Sequence, residues 1–144
     1  TSRRTFSRSH RVAEQNQGMK ITQCVFCGVS GDKILLENEH AFAFWDAFPV
    51  TPLHLLVVPK RHTPDYFSIT RDELAACDSL LRAAEAMVRE QDPTVEGFNV
   101  GSNAGAVAGQ TVFHCHFHLI PRRKGDVGDP RGGVRNVIPN KGPY

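Results

Sequence analysis

The stretch TVFHCHFHLI (residues 111–120) places His114, His116 and His118 at every second position, with one other residue in each gap. Successive side chains of a β-strand point to opposite faces, so this alternation predicts a strand that carries all three imidazoles on one face, about 7 Å apart. The residues in the gaps, Cys115 and Phe117, would hold the other face against a core. Because imidazole nitrogens need polar partners, such a face indicates chemistry rather than packing.

A loop that is suited to binding an anion precedes the histidines. Its sequence, GSNAGAVAGQT (residues 101–111), offers backbone N–H groups, the Gln110 amide and the Thr111 hydroxyl, and three cations follow at residues 122–124. Imidazole has an ordinary pKa of about 6.5, so it is neutral and nucleophilic at pH 7. The segment predicts a phosphate site with a nucleophilic histidine. The alternatives are a catalytic or a structural metal ion held by the histidines.

One long helix is predicted in the middle of the chain. Thr70 and Glu73 have the spacing of a capping box, and the helix should end near Gln91, before Pro93. Apolar residues at spacings of three and four predict a stripe that faces the core, consisting of Leu74, Cys77, Leu81, Ala84 and Val88.

Short strands are predicted on both sides of this helix. KILLENEHAFAFWD (residues 33–46) has the pattern of two strands around a polar turn, and HLLVVP (residues 54–59) and GFNVGSN (residues 97–103) each predict one more. After Pro121 the chain is rich in glycine and proline, and only residues 134–138 predict a further short strand.

Positive charge is concentrated at the start of the chain. Residues 1–18 hold four arginines against one glutamate, a net charge of +3, whereas the remainder holds 13 basic and 14 acidic residues, a net charge of −1. The first 18 residues are polar and aperiodic, so we expect a disordered or added leader before Met19, followed by a single domain over residues 19–144. Nucleic-acid binding is not expected.

The cysteines and the lack of export signals indicate a reducing compartment. No apolar run approaches the roughly 20 residues that span a bilayer, and the N-terminus lacks the apolar core of a signal peptide. The sequence therefore predicts a cytoplasmic protein whose four cysteines are thiols or metal ligands. Cys24 and Cys27, in CVFC, have the spacing of half a zinc site, although a redox pair has the same spacing.

Two segments carry a resemblance to a known family. GQTVFHCHFHLIPR (residues 109–122) resembles the signature of the histidine triad (HIT) family of nucleotidyl hydrolases and transferases, and FWDAFPVTPLHLLVVPKRH (residues 44–62) is similar to the family's upstream segment. The resemblance covers roughly residues 20–125. It implies an α+β fold, with an antiparallel sheet of about five strands, one long helix and one short helix, and a homodimer.

The resemblance also implies a role for each matching residue. His116 would attack the α-phosphorus of a nucleotide and form a nucleotidyl-histidine intermediate, which water would release as a nucleoside monophosphate. His118 and His54 would contact the phosphate oxygens. Gln110, Thr111 and the neighbouring Asn103 would contact the leaving group and the phosphate. Asp46 would bind the ribose hydroxyls.

Some members of the family bind zinc through a cysteine pair and two histidines. Transferred to this chain, the resemblance implies a structural zinc site whose expected ligands are Cys24, Cys27, His62 and His114. His40 is the alternative to His62 as the fourth ligand.

The leaving group is the least constrained part of the expected function. LIPRRKGD (residues 119–126) is similar to the family branch that cleaves dinucleoside polyphosphates such as diadenosine tetraphosphate. The tail from residue 122 holds six basic and two acidic residues, a net charge of +4 that would suit a polyphosphate. The alternatives are a purine nucleoside phosphoramidase and, in a different class, a nucleotide-binding or sensing protein with little turnover.

Overall fold

A computed structural model describes residues 24–143, so the expected leader and Met19 lie outside the described residues. The chain forms one antiparallel sheet in the order β1-β2-β3-β5-β4. Its strands are β1 (Leu36–Glu37), β2 (Ala41–Trp45), β3 (Leu55–Pro59), β4 (Gly97–Gly101) and β5 (Phe117–Arg122). Because β5 lies between β3 and β4, the histidine segment is next to the strand that follows His54.

The polar turn between β1 and β2 is confirmed. The Asn38 side-chain oxygen accepts hydrogen bonds from the backbone N–H groups of His40 and Ala41, at 3.1 and 2.9 Å. An asparagine side chain can accept hydrogen bonds from the backbone N–H groups two and three residues further along the chain. These bonds replace the sheet hydrogen bonds that are missing in a tight turn.

The long helix is confirmed as α1 (Arg71–Gln91), with a capping box between Thr70 and Glu73. The buried Glu73 carboxylate also accepts two hydrogen bonds from Arg61, at 3.1 and 2.8 Å, which tie the start of the loop after β3 to the helix. Leu80 is buried and Leu81 is only half-buried, so the buried face lies slightly to one side of the predicted stripe. In residues 24–143 only short 3₁₀ turns, such as Tyr66–Ser68, accompany α1, and none is a second α-helix.

The two faces of the sheet have different cores. Helix α1 covers one face, where Leu55, Val57 and Leu119 are buried. Phe26 packs on the other face in a smaller apolar cluster with Phe42, Leu56 and Val58. Strand β3 is therefore buried on both sides, which explains its unbroken apolar sequence.

The histidine segment is only partly a strand, which corrects one prediction. Strand β5 begins at Phe117, so His114 and His116 lie in the irregular chain before it, with His114 at the end of a bend. There the Cys115 N–H bonds to the Thr63 carbonyl, at 2.7 Å, outside the regular ladder. The predicted alternation of faces nevertheless holds, since Cys115 packs in the core under α1 while the Phe26 ring contacts both His114 and His116.

The predicted strand at residues 134–138 is wrong. The chain forms a 3₁₀-helix over Gly133–Val137, which packs against β4. Gly132 and Gly133 have φ of 90° and 49°, a region that favours glycine and turns the chain out of an extended course. Within the described residues, no helix combines the length and apolarity that crossing a bilayer requires.

Candidate active site and metal centre

Four side chains predicted to bind zinc lie together. The ligand atoms of Cys24, Cys27, His62 and His114 all lie within 4.8 Å of one another. His114 Nδ1 is 3.5 Å from Cys24 Sγ and 3.4 Å from Cys27 Sγ, and His62 Nδ1 is 3.3 Å from Cys27 Sγ. Tetrahedral zinc with ordinary bond lengths separates a sulfur and a nitrogen ligand by about 3.6 Å, so the cluster fits a zinc ion.

The orientation of His114 also suits a metal ligand. Its Nε2 lies 2.8 Å from the Pro59 carbonyl oxygen, which can only accept, so Nε2 carries the proton. The lone pair on Nδ1 therefore points at the two thiols, in the arrangement that second-shell carbonyls give to metal-binding histidines. His114 is fully buried, and burial lowers its pKa, which keeps the ring neutral.

The structure distinguishes between the two candidates for the fourth ligand. His62 belongs to the cluster, whereas His40 is close to Glu39, with its Nε2 3.8 Å from the carboxylate. His62 directly follows Arg61, whose hydrogen bonds to Glu73 hold this part of the loop against α1.

His116 is held in the orientation that a nucleophile requires. Its Nδ1–H donates to the carbonyl oxygen of His114, at 2.8 Å, so the neutral ring has its lone pair on Nε2. The ring is buried against Phe26, with the two ring centroids 4.9 Å apart. The residue that belongs to the metal cluster thus also orients the expected nucleophile through its backbone.

His54 and His118 form a hydrogen-bonded pair with assigned tautomers. The Val50 N–H donates to His54 Nδ1 at 3.1 Å, so His54 carries its proton on Nε2. His54 Nε2–H in turn donates to His118 Nδ1 at 2.9 Å, which leaves His118 with a proton on Nε2. The pair therefore offers a neutral N–H donor at His118, whose ring centroid is 5.1 Å from that of His116.

Asp46 lies beside this pair. One carboxylate oxygen is 3.4 Å from His54 Nε2 and 3.9 Å from His118 Nδ1, and the other accepts from the Phe48 N–H at 2.8 Å. Asp46, His54 and His118 are close enough for a second metal site. The tautomers argue against one, because His54 has a proton on one nitrogen and a backbone N–H directed at the other.

Both histidines of the pair are uncharged at neutral pH. The pKa of His118 is lowered to about 4, chiefly by burial and in addition by the neighbouring His116 and His54, against the opposing effect of Asp46. Burial likewise lowers the pKa of His54, and Asp46 opposes this too. A proton on His118 Nδ1 would break the hydrogen bond between the two rings. A proton on His54 Nδ1 would face the Val50 N–H and break the hydrogen bond that it donates.

The lowered pKa of His118 predicts a pH-dependent loss of stability. As pH falls from 6.5 towards 4, the unfolded chain binds a proton at this residue that the folded chain does not, so acid favours unfolding. His118→Gln should remove this dependence. Between pH 6.5 and 4 the free energy of unfolding of the wild type should fall by about 3 kcal/mol more than that of the variant. Denaturant unfolding at several pH values with excess zinc measures the difference. His40→Gln is the matched control and should follow the wild type, and parallel curves for His118→Gln and wild type would contradict the prediction.

The three remaining predicted residues occupy different positions. Gln110 is buried. Its amide nitrogen donates hydrogen bonds to the Pro64 and Val112 carbonyls, and its amide oxygen accepts one from the Gly105 N–H. Its amide therefore shapes the loop and is already bonded to backbone at both ends. Thr111 is exposed, and Asn103 is half-buried and lines the same cavity as His54 and His118.

Sequence reasoning missed one residue that supports His116, the expected nucleophile. The Ser102 hydroxyl donates to the His116 carbonyl oxygen at 2.7 Å. Together with the bond to the His114 carbonyl, this holds His116 through both its backbone and its ring. A serine in a glycine-rich loop carries no signal that would have singled it out.

The expected cationic patch after β5 is neutralised by carboxylates. Arg122 makes two hydrogen bonds of 2.8 Å to Asp126, and Arg123 donates to Asp92 at 2.9 Å. Lys124 lies 3.9 Å from Glu96. Each of the three cations at residues 122–124 therefore lies close to a carboxylate, in part from residues about 30 positions upstream, and the three do not form a free polyphosphate surface.

The antiparallel sheet and the alternating histidines together define a class of nucleotide-processing proteins. The HIT domain family matches residues 28–125, and the chain belongs to this family. It is 43% identical over 118 residues to a HIT-like protein of Mycoplasma pneumoniae, which covers 79% of this chain and 81% of that protein. It is 32% identical over 107 residues to the adenosine 5′-monophosphoramidase of Candida albicans, covering 69% and 70% of the two chains.

A solved structure supports the same assignment. The zinc-bound histidine triad family protein from Mycobacterium smegmatis superposes with a TM-score of 0.66 and 38% identity, over 73% of this chain and 78% of that one. The family resemblance and the five-stranded antiparallel sheet expected from the sequence are thereby confirmed.

Proposed function

We propose that this protein is a nucleotide hydrolase in which His116 is the nucleophile. The observation that carries the proposal is the hydrogen bond from His116 Nδ1–H to the His114 carbonyl, since it presents the Nε2 lone pair for attack. A histidine held in the other tautomer would point a proton at the substrate.

The reaction proceeds in two balanced steps. His116 Nε2 attacks the α-phosphorus, an N–P bond forms, and the bond from phosphorus to the leaving group breaks. Water then attacks the same phosphorus, the N–P bond to His116 breaks, and a nucleoside monophosphate is released. One water is consumed overall, with its hydroxyl group on phosphorus and its proton on the leaving group.

The other predicted residues support this chemistry. The N–H of His118 donates to a phosphate oxygen, and Asp46, on the other side of the histidine pair, accepts from the ribose hydroxyls. Asn103 and Thr111 lie on the loop that precedes the nucleophile and contact the phosphate or the leaving group. The metal cluster would hold zinc, which when bound would act structurally by fixing the His114 carbonyl that orients His116.

An amine is the leaving group that the charges favour. The expectation of a dinucleoside polyphosphate rested on the similarity of residues 119–126 to one family branch and on the basic tail. Of these two grounds the charge is weakened, because Arg122, Arg123 and Lys124 are each close to a carboxylate. An amine needs no such cations, and one relative is named as an adenosine 5′-monophosphoramidase. We therefore propose that the protein cleaves phosphoramidates in preference to polyphosphates. The homodimer and the cytoplasmic location stay predictions.

A product profile tests the proposal. Wild-type protein should release adenosine monophosphate faster from adenosine 5′-phosphoramidate than from diadenosine tetraphosphate, and the ratio of the two rates should not change with ionic strength. Label from an α-³²P substrate should appear on the protein in acid-labile form. A ratio that favours the polyphosphate at low salt and falls as salt rises would restore the polyphosphate assignment. Nucleotide binding with no labelled protein and no product would indicate a sensor.

A further inference from the structure

The two cysteines of the metal cluster enclose a residue that contacts the proposed nucleophile. Phe26 lies between Cys24 and Cys27, in a turn that is closed by a hydrogen bond from the Gly28 N–H to the Cys24 carbonyl at 3.3 Å. The Phe26 ring is buried, and its centroid is 4.9 Å from that of His116. The position of this ring therefore depends on the conformation of the short segment between the cysteines.

The Phe26 ring is one of two supports of His116. It meets the Phe44 ring edge-on, with the centroids 5.5 Å apart, and its centroid is 6.0 Å from that of His114. On the other side, His116 Nδ1–H donates to the His114 carbonyl. The proposed nucleophile is thus held by a ring that the cysteine turn carries and by the backbone of a residue of the metal cluster.

The four cysteines differ in their access to solvent. Cys27 is exposed and Cys24 is half-buried. Cys77 and Cys115 are buried in the core under α1, and burial raises the pKa of the Cys77 thiol to about 12. Peroxides oxidise accessible thiolates, and zinc binds cysteine as the thiolate. A peroxide in solution therefore reaches Cys27 first, and the Cys24 sulfur lies within 4.8 Å of that site.

A zinc site and a disulfide require different distances between the two sulfur atoms. Tetrahedral zinc with bonds of about 2.3 Å separates two cysteine sulfurs by about 3.8 Å, whereas a disulfide joins them at about 2.05 Å. Closing a bond between Cys24 and Cys27 would draw the sulfurs together by about 1.7 Å. Because Phe26 is part of the segment between them, its ring would have to move.

We propose that Cys24 and Cys27 form an oxidation site, at which hydrogen peroxide closes a disulfide, releases the zinc ion and moves Phe26 away from His116. The Cys27 thiolate attacks one peroxide oxygen, the O–O bond breaks, and a sulfenic acid and hydroxide form. The Cys24 thiolate then attacks the Cys27 sulfur, the S–S bond forms, and a second hydroxide leaves. Two electrons pass from the sulfurs to the peroxide, and protons from solvent convert both hydroxides to water.

Oxidation changes the metal cluster and the reactive site together. The disulfide leaves His62 and His114 as the remaining ligands of the cluster, and two imidazoles do not complete a four-ligand zinc site. A displacement of about 1 Å near reacting groups can lower a rate by about 100-fold, so a displaced Phe26 should slow attack by His116. The effect on turnover rests on the proposed function, whereas the oxidation and the loss of zinc do not.

Stoichiometry tests the oxidation. Zinc-loaded protein is treated with hydrogen peroxide, and released zinc, the thiol content of the denatured protein and the intact mass are measured. We expect release of the zinc as the thiols fall from four to two per chain, a mass lower by two hydrogen atoms and a peptide that links Cys24 to Cys27. Dithiothreitol with added zinc should reverse all three changes. Zinc that stays bound, or a mass that rises by added oxygen atoms, would overturn the proposal.

Variants of the buried thiols are the matched controls. Cys77→Ala and Cys115→Ala should each release zinc at the wild-type rate, within about twofold, because neither side chain takes part in the disulfide. Loss of zinc release in either variant would show that the oxidised pair is assigned wrongly.

The coupling through Phe26 is tested by labelling of the protein from α-³²P adenosine 5′-phosphoramidate. Saturating substrate is used, so that any contribution of the ring to nucleotide binding does not affect the rate. Oxidised wild type should be labelled at least about tenfold more slowly than reduced wild type. Reduced Phe26→Ala should keep its zinc, show a loss of similar size, and lose less than about twofold more on oxidation. Phe26→Leu, which keeps an apolar side chain in the cluster, should show a smaller loss in the reduced state.

The possible outcomes separate the coupling from the proposed function. Losses that multiply when oxidation and Phe26→Ala are combined would overturn the role of Phe26. A disulfide that forms with zinc release and leaves labelling unchanged would overturn the coupling. Protein that is labelled in neither state would overturn the proposed function, and the zinc and thiol measurements would still decide whether Cys24 and Cys27 are the oxidation site.

Discussion

Replacing His116 with alanine is expected to lower kcat by at least about 10⁴-fold on any substrate that the protein cleaves. The variant loses the nitrogen that forms the covalent intermediate, and no other described side chain holds a lone pair in the same place. The pocket on both sides of the ring remains, so the Kd for a nucleoside monophosphate should change by less than about threefold. Single-turnover kinetics and calorimetric titration measure the two effects.

His54→Ala is the matched comparison for this prediction. It removes the ring that donates to His118 Nδ1, so it should disturb the phosphate contact without removing the nucleophile. We expect a smaller loss of kcat and continued formation of the labelled intermediate. Equal losses for His116→Ala and His54→Ala, with no label on either variant, would show that the roles are assigned wrongly.

Removal of the cysteine pair is expected to have the largest effect on stability. Purified protein should contain about one zinc per chain, and Cys24→Ser with Cys27→Ser should abolish it. Because the cluster joins the N-terminal segment, the loop after β3 and the chain before β5, its loss should lower the thermal midpoint by about 10 °C or more. Metal analysis and thermal unfolding give the two readouts.

The fourth ligand provides an internal control for the zinc prediction. His62→Gln should release zinc and His40→Gln should retain it, because only His62 is in the cluster. Wild-type protein that is stripped of metal and unfolds at an unchanged temperature would refute a structural zinc site. Full activity after chelation and refolding would in addition exclude a zinc hydrolase that uses all three triad histidines.

Local sequence patterns predicted most of the fold because the forces behind them are local. The capping box at Thr70 and Glu73 satisfies N–H groups within one helical turn, and the turn at Asn38 bonds to its own neighbours. The alternation at His114–His118 assigned each side chain to its face even though a regular strand begins only at Phe117.

Sequence patterns reached less far where distant residues or backbone conformation decide the outcome. The tail was counted as basic, but Arg123 pairs with Asp92, which lies 31 positions away, and no pattern along the chain reveals that partner. Gln110 appeared suited to an anion, but its amide bonds to carbonyls at Pro64 and Val112. The short strand at residues 134–138 failed because glycines just before it have positive φ.

By itself, the sequence determined the family, the helix, the strands up to residue 122 and the candidate histidines and cysteines, because spacing and residue type carry that information. Only the tertiary structure decided what each histidine can do. The Pro59 carbonyl places the proton of His114 on Nε2, the His114 carbonyl places that of His116 on Nδ1, and the Val50 N–H assigns the tautomer of His54. A neutral imidazole has one donor and one acceptor nitrogen, and the partner brought to it by folding selects which is which. Three histidines of identical chemistry thereby acquire the tautomers that suit their proposed roles as metal ligand, nucleophile and hydrogen-bond donor.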